Sequence, residues 1–128
     1  MLDSTNNGPT VLVVEDEDTN FKLLEVYLRE MNIRITHARN GLEALDLVHK
    51  NQYDLVLMDI QMPLMNGLDA TRKIREFNLD IPVIAITAYA FENERIQAMD
   101  AGCNAHFSKP IKKEVLLKAI SEFVPGKN

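Results

Sequence analysis

Three uninterrupted apolar runs of strand length constrain this chain more than any other feature: Val11-Leu12-Val13-Val14, Leu55-Val56-Leu57-Met58 and Val83-Ile84-Ala85-Ile86. A strand with one wet face alternates apolar and polar residues, so a continuous run is stable only where both faces are covered. Ile33-Arg34-Ile35-Thr36-His37 does alternate, which suits an edge strand, and Ala105-His106-Phe107-Ser108 reads as a short fifth strand. Segments of helical period lie between these runs. Phe21, Leu24, Leu28 and Met31 form one stripe, and Leu42, Leu45 and Val48 a second. Ala70, Ile74 and Phe77 form a third, Ile96 and Met99 a fourth that Gly102 should cap, and Leu116, Ala119 or Ile120 and Phe123 a fifth. Five βα units imply an α/β fold, a doubly wound parallel five-stranded sheet with helices on both faces and right-handed crossovers.

With 128 residues the chain fits one domain and can bury a sizeable core. Residues 1–9 read as a loose tail, 10–124 as the domain and 125–128 as a second tail. The net charge of -5 argues against a nucleic-acid surface, which requires a basic patch. One cysteine, Cys103, precludes an internal disulfide and suits a reducing compartment. No apolar run approaches a membrane span, and the polar start is not a signal peptide, so a cytoplasmic location is expected, as a monomer. His37 and His49 show no metal-ligand spacing and read as solvated, Met31, Met58 and Met99 as core filler, and Asp18 as the cap of the first helix.

In an open parallel sheet, ligands bind beyond the carboxyl ends of the strands. Glu15-Asp16 follows the first strand, Asp59 the third, Thr87-Ala88 the fourth and Lys109-Pro110 the fifth. If the first and third strands are neighbours, their tips lie about 5 Å apart. Carboxylates crowded this way raise one another's pKa unless a divalent cation or a lysine relieves them. Oxygen ligands favour Mg2+. A carboxylate nucleophile, a metal, a lysine and a hydroxyl are together the parts that phosphoryl transfer requires. Taken singly, each has a plain reading: Asp59 starts a turn, Thr87 caps a helix, Lys109 is a surface lysine.

Taken in order, Glu15-Asp16, Asp59 with Met62-Pro63 and Asn66-Gly67 behind it, Thr87-Ala88 and Lys109-Pro110 resemble the receiver domain of two-component response regulators, from Val11 to about Phe123. DIQMP, ITAYAF and AGCNAHFSKP are most similar to receivers of hybrid histidine kinases and single-domain relays. The resemblance implies a flavodoxin-like receiver fold with strand order 2-1-3-4-5. It implies Asp59 as phosphoacceptor and Mg2+ held by Glu15, Asp16, Asp59 and the main-chain carbonyl of Gln61. Thr87 and Lys109 would bind the phosphoryl oxygens, and Lys109-Pro110 would be cis. A histidine kinase or histidine phosphotransfer protein would be the phosphodonor, docking near the first helix, and a further protein the downstream target. No output domain fits after Phe123, and the module would signal rather than turn over substrate.

The pattern departs from the family at one switch position. Receivers usually carry Tyr or Phe three residues before the lysine, and His106 stands there, open to charge near neutral pH. Gln61 and Tyr89, two residues after Asp59 and Thr87, occupy positions that tune phosphate lifetime in the family. The alternatives are an aspartyl-phosphate hydrolase of the haloacid dehalogenase type, which looks for a second Asp where Gln61 stands, and a degenerate binding module. A flavodoxin-like nucleotide binder is weaker still, because no glycine-rich phosphate loop follows the first strand.

Overall fold

The structure is a computed structural model and describes residues 8–62, 64–88 and 91–124. Its elements run β1 (Thr10–Val14), α1 (Asp18–Glu30), β2 (Arg34–Ala38), α2 (Gly41–Lys50), β3 (Leu55–Asp59), α3 (Gly67–Arg75), β4 (Val83–Thr87), α4 (Glu92–Ala101), β5 (Ala105–Ser108) and α5 (Lys113–Phe123). The sheet is parallel throughout, in the order β2-β1-β3-β4-β5. The three continuous runs are the three central strands, and the alternating segment is at an edge, as its pattern requires.

Alternation of side chains across the sheet divides each continuous run between two cores. Leu12, Val14, Val56, Met58, Val83 and Ala85 face Ala44 and Val48 of α2, Ala70 and Ile74 of α3 and Ala98 of α4. Val11, Val13, Leu55, Leu57, Ile84 and Ile86 face Leu24 and Leu28 of α1 and Leu116, Ala119 and Ile120 of α5. Fully burying one such Val, Leu or Ile stabilises by about 1.5–3 kcal/mol, so β1, β3 and β4 are the rigid part of the molecule.

The helix starts are set locally. Asn40 caps α2 by accepting from the Glu43 amide, and Asn66 caps α3 by accepting from the Asp69 amide. Gly102 ends α4 with φ of +113°, as expected of a C-cap. Asp18, by contrast, is the first residue of α1 and does not cap it; the N-cap is Glu17, without a side-chain cap bond.

Four apolar residues expected inside are outside. Leu42 and Phe77 are exposed, and Phe77 lies beyond the end of α3, stacked on His49 at 3.7 Å. Ile96 and Met99 are 48% and 40% exposed because α4 lies on the sheet through Ala98 and Ala101, whose small side chains allow close approach. Met58 is core, Met31 only partly so. No helix among the described residues is long and apolar enough to cross a membrane.

Candidate functional site

Parallel pairing of β1 with β3 aligns Val14 with Met58, so the residues that follow, Glu15 and Asp59, emerge side by side. Pairing of β3 with β4 and of β4 with β5 brings Thr87 and then Lys109 to the same edge. The Lys109 amide donates to the Thr87 carbonyl at 2.7 Å, and the Lys109–Pro110 peptide is cis. The Lys109 side chain reaches back over the strand tips. Its Nζ lies 3.2 Å from Asp59 Oδ1 and 3.2 Å from Glu15 Oε1. Glu15 and Asp59 side chains are each 2% exposed and Lys109 19%. Asp16 is the half-exposed third member of the cluster, and one carboxylate oxygen from each acid falls within 4.8 Å of the others.

Two acids and one ammonium do not balance. Burial, and after it the charge of Glu15, raise Asp59 from its ordinary 3.8 to about 7 against the opposing pull of Lys109. Burial also works against the charge of Lys109, but the carboxylates of Asp59 and Glu15 outweigh it and hold the ammonium above its ordinary range. Both Asp59 carboxylate oxygens are buried without a hydrogen-bond partner among the described residues. A group in that state is costly to keep unless something else coordinates it. Three clustered carboxylates, with the orphaned oxygens of Asp59 among them, match the donor set that Mg2+ takes.

A family model described as the response regulator receiver domain matches residues 11–121. The chain belongs to that family. The receiver is 37% identical over 117 residues to the polar-differentiation response regulator DivK of Brucella anthropi, covering 90% of this chain and 95% of that one. It is 38% identical over 120 residues to hybrid signal transduction histidine kinase I of Dictyostelium discoideum, covering 87% of this chain and 7% of that protein. Among solved structures it resembles the receiver domain of a sensor histidine kinase from Pseudomonas aeruginosa, which holds a magnesium ion in its active-site cleft (TM-score 0.86, 33% identity, 91% and 98% covered). It also resembles the receiver domain of yeast Ssk1 in complex with the histidine phosphotransfer protein Ypd1 (TM-score 0.85, 30% identity, 91% and 90% covered).

The receiver places the remaining expected residues unevenly. Thr87 is fully buried at the tip of β4, and its hydroxyl donates to Gln61 Oε1 at 2.7 Å. His106 lies on β5 with Nε2 buried and without a partner among the described residues. Burial first and Arg95 second push its pKa below the ordinary histidine value, with Glu94 opposing, so the ring is neutral at pH 7 rather than charged. Glu94, on α4, likewise buries one carboxylate oxygen without a partner among the described residues. Tyr89 lies outside the described residues.

One supporting residue has no signature in the sequence. His37 is not solvated: its ring stacks on Phe21 at 3.7 Å, and its Nε2–H donates to the Glu15 carbonyl at 2.8 Å. With the Glu15 amide bound to the Ala38 carbonyl, β2 braces the acidic loop from the side. The only sequence signal is position, since His37 stands near the end of the strand next to β1.

Proposed function

We propose that Asp59 accepts a phosphoryl group from a phosphohistidine of a histidine kinase or histidine phosphotransfer protein, in a Mg2+-dependent reaction, and that the change alters contacts with a downstream protein. The observation that carries this reading is the buried Asp59 carboxylate, without a hydrogen-bond partner at either oxygen among the described residues and flanked by Glu15, Asp16 and Lys109. In the transfer, an Asp59 oxygen forms a bond to phosphorus as the P–N bond to the donor imidazole breaks, and the electron pair leaves with the imidazole nitrogen. Lys109 neutralises charge on the phosphoryl oxygens, and Thr87 donates to one of them. Glu15, Asp16, Asp59 and the main-chain carbonyl of Gln61 would hold Mg2+, which when bound neutralises phosphoryl charge and screens the acids from one another. With Gln61 two residues beyond Asp59, no second aspartate stands where a dehalogenase-type hydrolase has its general acid, which favours a signalling module over a turnover enzyme.

The phosphodonor docks beside α1. Leu23 and Val26 are exposed there, and a small cavity lined by Glu15, Asn20, Leu23, Lys109 and Ile111 opens next to the acids. A cytoplasmic monomer fits this role.

Intact mass after incubation with acetyl phosphate tests the reading. One added phosphoryl group is expected with Mg2+, none with chelator and none in Asp59→Asn. An adduct that survives Asp59→Asn would reject Asp59 as acceptor, and a phosphohistidine donor replaces acetyl phosphate if no adduct forms.

His106 takes the switch position in this proposal, as a neutral ring. Its NMR ring signals are expected to titrate below pH 6.5, the ordinary histidine value, because burial disfavours its charged form. Phosphorylation is expected to shift those signals. Ring signals that stay in place on phosphorylation would remove His106 from the switch.

A further inference from the structure

Thr87 is fully buried, and its hydroxyl donates to Gln61 Oε1 at 2.7 Å. A hydroxyl carries one proton and makes one strong donation at a time. That proton is the one Thr87 would give to a phosphoryl oxygen on Asp59. Gln61 itself lies at the surface, two residues beyond Asp59, on the segment that leads from β3 to α3.

We infer that the Gln61 side chain is a resting-state latch on Thr87: it competes with the phosphoryl group for the hydroxyl proton and so weakens this receiver's hold on the phosphorylated state. The inference rests on the phosphoacceptor reading above. Gln61 is a positioning residue, since it acts through Thr87. No covalent bond changes; the proton stays on Thr87 and only its acceptor changes. On phosphorylation the hydroxyl exchanges a neutral acceptor for an anionic one, which forms the stronger hydrogen bond. The released amide of an exposed glutamine is rehydrated, so release itself costs little. The latch therefore opposes the switch without preventing it. Its strength is that of one net hydrogen bond, about two- to tenfold in an equilibrium constant.

A side chain that merely covers the phosphoryl group would act on it directly, with or without the Thr87 hydroxyl. That difference sets the experiment. Gln61→Met keeps side-chain length and removes the oxygen acceptor. Thr87→Ala removes the hydroxyl, and Thr87→Val does so while keeping the shape of a buried side chain. Binding of beryllium fluoride with Mg2+, a stand-in for the phosphoryl group, is titrated by calorimetry in the wild type, the single variants and the double variants. Gln61→Met is expected to bind about two- to tenfold tighter than the wild type, and to change nothing in either hydroxyl-free background. Equal affinity of Gln61→Met and wild type overturns the latch, and so does the same tightening with and without the hydroxyl. A wild type that fails to bind the stand-in would instead remove the phosphoacceptor reading, and the latch with it.

Discussion

Asp59→Asn will make the metal-free protein more stable at pH 8, not less, although it removes an ion pair. The carboxylate sits 2% exposed beside Glu15, and burial with that neighbour lifts it from 3.8 to about 7. A raised folded-state pKa means that the folded protein holds its proton more tightly than the unfolded chain does. The stability Asp59 contributes is thus fully present below pH 4, declines as pH rises and is lost above pH 7. A shift of this size is worth about 4 kcal/mol in the ionised state. Asparagine keeps the shape and discards the charge, and Lys109 retains Glu15 as a partner at 3.2 Å. Thermal unfolding should show Asp59→Asn about 5–15 °C above the wild type at pH 8 in chelator. The gap should close toward pH 4, and added Mg2+ should narrow it by stabilising only the wild type. A variant that melts below the wild type at pH 8, or a gap indifferent to pH, would show that Lys109 already balances Asp59.

The legible parts of this molecule are those written in runs and spacings. Continuous Val/Leu/Ile segments identify β1, β3 and β4 because only a strand covered on both faces needs them, and β2 declares itself an edge by alternating. Asp16, Asp59 and Lys109 can be associated from their places in the chain alone, because a parallel sheet brings the ends of its strands to one side. What does not show is set by side-chain direction and size. The helical stripe of α4 points to its largest apolar residues, Ile96 and Met99, whereas the helix packs through alanines. His37 reads as solvated because nothing in its sequence neighbourhood announces a ring partner, and Phe21 supplies one from another element; His49 is exposed as read, with Phe77 stacked on its ring. The contact between Thr87 and Gln61 spans 26 residues and depends on the geometry of one loop, to which no spacing rule applies.

Gly67→Ala should be the most damaging small substitution near the site. Gly67 opens α3 directly beneath Asp59, and its amide donates to the Ile60 carbonyl at 2.9 Å. A Cβ there would stand 2.2 Å from the Asp59 carbonyl oxygen and 2.9 Å from both Ile60 Cα and Met58 Cγ. The first two are backbone atoms, and Met58 is locked in the core, so no side chain can simply swing aside. Alanine improves helix propensity by about 0.8–1 kcal/mol over glycine, which makes the sign of the outcome informative. We expect a net loss of about 3 kcal/mol from overpacking, read by urea denaturation. The backbone that must yield is the one that aims Asp59, so phosphoryl incorporation from acetyl phosphate should slow by about tenfold or more, since misplacement of a reacting group by an ångström is that costly. Gly102→Ala supplies the contrast. It forces a Cβ onto φ of +113° against the flexible Arg75 side chain, at the far end of α4. It should cost about 1–2 kcal/mol and leave phosphoryl incorporation at the wild-type rate. Wild-type stability and rate in Gly67→Ala would mean that the β3–α3 junction yields without moving Asp59, and that Asp59 is not held from below.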